Sequence, residues 1–334
     1  MIFNLHSYKD FPDRGHAFLV PLLFFLGIAG SPLSFMTEPF ISVNGQAKIE
    51  ATTDLVLLPV KVTDTRGSFV SALKLQDFRV YEEGQLQTLT VFEEGDTPVT
   101  VGLIVDHSKS MGPKLPDVVT AVSSFAHSSN PQDEMFVVDF NDDVSVELMR
   151  GKAFSNDVKE LREALNAVSA RGRTALYDAV SEGLQHLQYG HLEKKALIII
   201  SDGGDNASHL KYSQVLTQAR QSQALIYSIG LVGSNDGEEN PDLLRRLCKD
   251  TGGIAYFPQE GESVEKVSTE IARDLREQYT LGYTPQNMKR ANVFRKVEVK
   301  VTVRDHGKLQ VRTRKGYSPI AGKQPLAQLE PGTR

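Results

Sequence analysis

Two apolar runs that stop abruptly at an acid constrain this chain more than any other feature. Val101-Gly102-Leu103-Ile104-Val105 ends at Asp106, and Lys195-Ala196-Leu197-Ile198-Ile199-Ile200 ends at Ser201-Asp202. Near-continuous β-type runs predict strands buried on both faces, as in a parallel sheet covered by helices. In open α/β sheets the ligand crevice lies beyond the carboxyl ends of such strands. Asp106, Ser108 and Ser110 share one tight loop there. A carboxylate with two hydroxyls is an all-oxygen set suited to a hard divalent cation.

From about Pro98 to Glu277 strand and helix patterns alternate, the signature of a doubly wound sheet. Helices are expected near 114–128, after Ser155 or Asn156 as cap, through Leu176 to Leu187, and at 213–222, 241–250 and 262–278. Buried strands are expected at 135–140, 224–232 and 253–257, and Val144–Leu148 alternates like an edge strand. Arg171-Gly172-Arg173-Thr174 interrupts the helical pattern and sets Thr174 at a helix start.

The flanks read differently. Leu55–Thr63, Leu75–Glu82 and Gln87–Phe92 are short alternating runs separated by Asp64-Thr65-Arg66-Gly67 and Glu83-Gly84. Three or four strands make a thin core and need help from elsewhere. The other end supplies Tyr279–Tyr283, Phe294–Val303 and, after an Asp305-His306-Gly307 turn, a returning strand at Leu309–Arg314. The expectation is a mostly parallel α/β domain at 98–278, bracketed by a discontinuous all-β unit made of 39–96 and 279–318. The tail 319–334, rich in Pro, Gly and Gln, reads as disordered.

Residues 1–31 suggest export. Lys9 and Arg14 precede an apolar run, Ala17–Ala29, which is followed by small residues. Either a cleaved signal peptide or an uncleaved anchor fits, and the protein is expected in the periplasm, on the cell envelope or secreted. The net charge of −5 gives no basic field, so nucleic acid is not an expected partner. The single cysteine, Cys248, lies in a helical pattern and reads as a buried, inert thiol.

Asp106-x-Ser108-x-Ser110, then Thr174 within Gly172-Arg173-Thr174-Ala175-Leu176, then Asp202 closing an apolar strand, resembles a von Willebrand factor type A domain. The five positions match that family's metal-ion-dependent adhesion site over roughly 98–278. The resemblance implies that Asp106, Ser108, Ser110, Thr174 and Asp202 hold Mg²⁺, with Mn²⁺ or Ca²⁺ as alternatives, and that a partner protein's Asp or Glu completes the shell. His107 and Lys109 stand where small residues are more common in the family. A surface or packing role suits His107. Lys109 either points into solvent or attracts an acidic partner, and Asp205 and Asn206 either support the metal ligands or serve the turn. Val62-Thr63-Asp64, Asp77-Phe78-Arg79-Val80 and Arg314-Lys315-Gly316-Tyr317 also resemble exported bacterial proteins in which this domain has flanking β segments.

The function expected is therefore a metal-dependent adhesion or assembly module, not an enzyme. A structural domain with an idle site is one alternative. A metal-assisted hydrolase with Asp205 as base is another, but no HExxH, Ser-His-Asp order or phosphate loop accompanies it.

Overall fold

The computed structural model describes residues 55–148, 151–166, 169–233, 239–259, 262–285, 293–303 and 307–319. The expected signal segment and nearly all of the tail lie outside these residues. The first strands are β1 (Val56–Thr63), β2 (Phe78–Glu82), β3 (Gln85–Leu86) and β4 (Leu89–Glu94). The α/β part follows as β5 (Val99–Asp106), α1 (Leu115–Ser128), β6 (Glu134–Phe140), β7 (Val144–Glu147), α2 (Val158–Asn166) and α3 (Leu176–His186). It continues through β8 (Lys194–Ser201), α4 (Tyr212–Ser222), β9 (Leu225–Gly230), α5 (Pro241–Thr251), β10 (Ala255–Tyr256) and α6 (Val264–Arg276). The chain returns to strands in β11 (Tyr279–Tyr283), β12 (Arg295–Val301), β13 (Gln310–Arg312) and β14 (Gly316–Tyr317).

The central sheet has the order β10-β9-β8-β5-β6-β7. All its neighbours run parallel except the edge pair β6 and β7, which is antiparallel. Every residue of β5 is buried, as a run without polar interruption requires. Helices α1, α2 and α6 cover one face and α3, α4 and α5 the other. Each fully buried Val, Leu or Ile on these faces contributes roughly 1.5–3 kcal/mol. Gly183 lets α3 approach closely, because a Cβ there would lie 2.5 Å from Ile104 Cδ1.

The flanking strands form two four-stranded sheets, β13-β1-β11-β4 and β14-β12-β2-β3. Each mixes strands from before and after the α/β part, which is the interleaving expected from two thin halves that cannot bury their apolar faces alone. Their shared core includes Leu58, Val60, Phe78, Val80, Tyr279 and Leu281. The sheets are tied to the α/β part at the end of α6. There Asp274 accepts the Tyr227 hydroxyl at 2.6 Å and pairs with Arg312 at 2.5 Å and Lys61 at 3.5 Å.

Three expectations need correction. Leu309–Arg314 does not return along β12: β13 pairs with β1 instead, through Lys61↔Arg312 to Thr63↔Gln310. Alternation identifies a strand but says nothing of its partner. The run 87–92 starts its strand two residues late, as β4, which crosses to β11, and a separate short strand before it, β3, pairs with β2. The cap of α2 is Asp157, whose Oδ1 accepts the Lys159 N–H at 2.8 Å, whereas Ser155 bridges Met135 on β6.

Candidate metal centre

Strand order reverses around β5 and β8, so the loops leaving these two neighbours part and open a crevice between them. Asp106 closes β5 and is wholly buried. Its Oδ1 accepts the Ser108 N–H at 2.8 Å and its Oδ2 accepts the Ser201 hydroxyl at 2.6 Å. Burial pushes the Asp106 carboxyl up to about 6, an effect its hydrogen bonds temper and nearby Asp202 reinforces. The Ser108 and Ser110 hydroxyls lie 3.2 Å apart, and Ser110 Oγ donates to Asp202 Oδ2 at 2.8 Å. Asp106, Ser108, Ser110 and Asp202 thus meet in one connected network.

Thr174 arrives on a second loop laced to the first. The Arg171 N–H donates to the His107 carbonyl at 2.9 Å, and the Lys109 N–H donates to the Gly172 carbonyl at 3.2 Å. Thr174 itself is clamped through its backbone. Its N–H donates to Asn206 Oδ1 at 2.9 Å, and its carbonyl accepts the N–H groups of Asn206 and Ala207, both at 3.0 Å. Asn206 therefore positions the Thr174 backbone. Asp205 serves the helix start: it accepts the Tyr177 N–H at 3.2 Å and the Ser208 hydroxyl at 2.5 Å. With these donors on one oxygen, Asp205 is committed to capping α3.

The von Willebrand factor type A domain model matches residues 101–270, just over half of the chain. The chain belongs to the von Willebrand factor type A (VWA) family. Among solved structures, a VWA protein from Catenulispora acidiphila is 13% identical, with 76% of each chain covered and a TM-score of 0.49. An aerotolerance-related membrane protein from Bacteroides fragilis is 16% identical, over 52% of this chain and 98% of that one, at a TM-score of 0.43. The VWA domain of the type V pili tip protein Mfa5 from Porphyromonas gingivalis is 12% identical, over 54% of this chain and 97% of that one, at a TM-score of 0.44. No curated protein matches the sequence.

Several residues of this VWA site were invisible in the sequence. Lys114 places its Nζ 3.7 Å from Asp202 Oδ2 and 3.6 Å from Glu239 Oε1. Glu239 reaches the crevice because Gly203, at φ +86°, lies under the Asn240 carbonyl, where a Cβ would come within 2.5 Å. The Asn240 N–H then donates to the Asp202 carbonyl at 3.2 Å. Ser201 carries no signal in the sequence beyond ending a strand. No local pattern links these positions, since the fold alone brings them together.

The two variable positions of the first loop differ sharply. His107 is buried, its N–H donates to the Phe140 carbonyl at 2.8 Å, and its Nδ1 meets Asp139 Oδ1. Packing is its role. Lys109 is exposed, and its side chain takes no hydrogen-bond or ion-pair partner among the described residues. Cys248 is buried, as expected, and burial pushes its thiol up to about 12.

The donor set suits a hard cation. Among the described residues no three His, Cys, Asp or Glu side chains gather at metal-binding distance, so hydroxyls have to complete any shell. Two carboxylates shut away from water, one of them driven toward protonation by burial, are electrostatically short of positive charge. Lys114 meets that need only from 3.7 Å.

Proposed function

We propose that this chain is a cation-dependent protein-binding module that recognises an acidic group of its partner. The observation that carries the reading is the convergence of Asp106, Ser108, Ser110 and Asp202 into one network at the mouth of the crevice, with Thr174 locked beside it. These five residues would hold the cation, for which Mg²⁺ suits hydroxyl-rich oxygen donors, with Mn²⁺ or Ca²⁺ as substitutes. When bound, it supplies an electrophilic position that a carboxylate can fill. Exposed Lys109 and Arg171 on the two laced loops add positive charge at the rim and favour an acidic partner over a basic one.

The rest of the chain serves presentation. In this reading residues 98–278 form the binding domain, the strands of 39–96 and 279–318 carry it, and 1–31 direct export to the cell envelope or beyond. Binding rather than catalysis is favoured by Asp205, the candidate base, whose Oδ1 is engaged at the start of α3.

The test immobilises the full chain and passes envelope extract over it in Mg²⁺, in EDTA, and with Asp106→Ala in Mg²⁺. A protein held by wild type in Mg²⁺ and lost in the other two arms is the expected result, with circular dichroism showing the variant folded. Equal retention in all three arms would place the interface away from the crevice.

A further inference from the structure

Lys114 is an unusual neighbour for a cation site. It closes a short 3-10 helix of two turns, Lys109–Lys114, whose start carries Ser110, so its side chain hangs over the crevice. Only 16% of that side chain is exposed, and Nζ is buried and donates no hydrogen bond among the described residues. An ammonium offers three donors and normally satisfies them. This one instead stands between two carboxylates, 3.7 Å from Asp202 Oδ2 and 3.6 Å from Glu239 Oε1. Charge holds it there without fixed directional bonds, so a short movement toward either carboxylate breaks nothing.

We infer that Lys114 is the site's built-in counter-cation: it neutralises Asp202 when no metal is present, competes with the metal for that carboxylate, and withdraws onto Glu239 when the metal binds. The inference rests on the proposed reading of the crevice as a cation site. Its logic is electrostatic. Asp202 Oδ2 is the oxygen that Ser110 already contacts at 2.8 Å, so a cation seated among these ligands would lie close to the ammonium. Like charges at such separations repel strongly where water is scarce. Glu239 is a fixed refuge, since the Gly233 N–H pins its Oε1 at 2.6 Å. Asp202 therefore serves both cations in turn, and Glu239 sets how readily the lysine leaves.

Two conservative variants should move cation affinity in opposite directions. Lys114→Gln removes the competitor, so Mg²⁺ binds about tenfold tighter, and the metal-free melting temperature falls because Asp202 and Glu239 lose their neutralising charge. Glu239→Gln keeps an acceptor for Gly233 but removes the refuge, so Mg²⁺ binds about tenfold more weakly. The measurement is calorimetric titration of the full chain with Mg²⁺ alone, paired with thermal melts in EDTA. If wild type binds Mg²⁺ and the two variants fail to diverge, the counter-cation role is wrong while the cation site stands. If neither wild type nor either variant takes up Mg²⁺, both readings fall together.

Discussion

Glu82 and Asp106 are both buried carboxylates surrounded by hydroxyls, but one is closed by its own chain and the other is not. Glu82 on β2 accepts the Tyr283 hydroxyl at 2.7 Å and the Tyr317 hydroxyl at 2.8 Å on Oε2, and Arg295 Nη1 at 2.9 Å on Oε1. The four residues are at most 6% exposed and join strands of both small sheets. Every charge in that cluster meets its opposite at hydrogen-bonding distance. At the crevice, Asp106 and Asp202 are each held by neutral donors, and the ammonium beside Asp202 stands 3.7 Å away. Burial is common to the two regions. Closure is what separates a rivet from an open crevice.

The comparison breaks most easily at the rivet. Glu82→Ala leaves a guanidinium and two phenols buried without an acceptor, and should cost about 3–5 kcal/mol in urea unfolding. A loss below about 1 kcal/mol would show that the cluster is not self-contained.

Acid titration of stability sharpens the other side. Burial pushes Asp106 and Asp133 each up to about 6, above the ordinary carboxylate value near 4. The folded state therefore keeps protons that the unfolded chain has already released, so in EDTA stability falls as pH rises from about 4 to 6 and levels off above that. A two-unit shift corresponds to at most about 2–3 kcal/mol per group. A cation favours ionised Asp106, so the stability gap between Mg²⁺ and EDTA should widen over the same pH range. A gap constant across that range would remove Asp106 from the ligand set. Asp133, which accepts the Val99 N–H at 2.8 Å at the opposite end of β5, should titrate alike in both buffers.

The smallest effect separates support from coordination. Asn206→Ala strips the acceptor from the Thr174 N–H and should cost about 1 kcal/mol of stability, with weaker Mg²⁺ uptake in titration. Ser208→Ala disturbs the start of α3, through Tyr177, Asp178 and the Asp205 carboxylate, and should leave Mg²⁺ uptake unchanged. Equal losses from both variants would mean that the Thr174 clamp plays no special part.

Much of this architecture was legible in the sequence because burial on both faces writes itself as an uninterrupted apolar run. β5 and β8 could be placed from that signal, and their acidic ends pointed to Asp106 and Asp202. Ser108 and Ser110 followed from their nearness to Asp106 in the chain. Pairing was not legible: Val311 alternates with polar neighbours equally well beside β12 or beside β1, and only the assembled core chooses β1. Lys114 and Glu239 were invisible for a related reason. They lie 125 positions apart, and a surface lysine and a glutamate before a helix are the commonest of residues. Their meeting depends on Gly203, whose backbone draws the 239–240 segment over the site.

The α/β domain leaves β4 at Glu94 and comes back at Tyr279 on β11, and these two residues face each other across adjacent antiparallel strands. On the other side of β11 the ladder runs from Val56↔Tyr283 to Val60↔Tyr279. A pull applied between the crevice and Val56 therefore reaches β1 and β11 at opposite ends of their shared ladder. The strands are loaded in shear and not peeled, and all their hydrogen bonds resist together instead of opening one after another. In a protein that grips a partner, the grip and the seam beneath it would share the same tension.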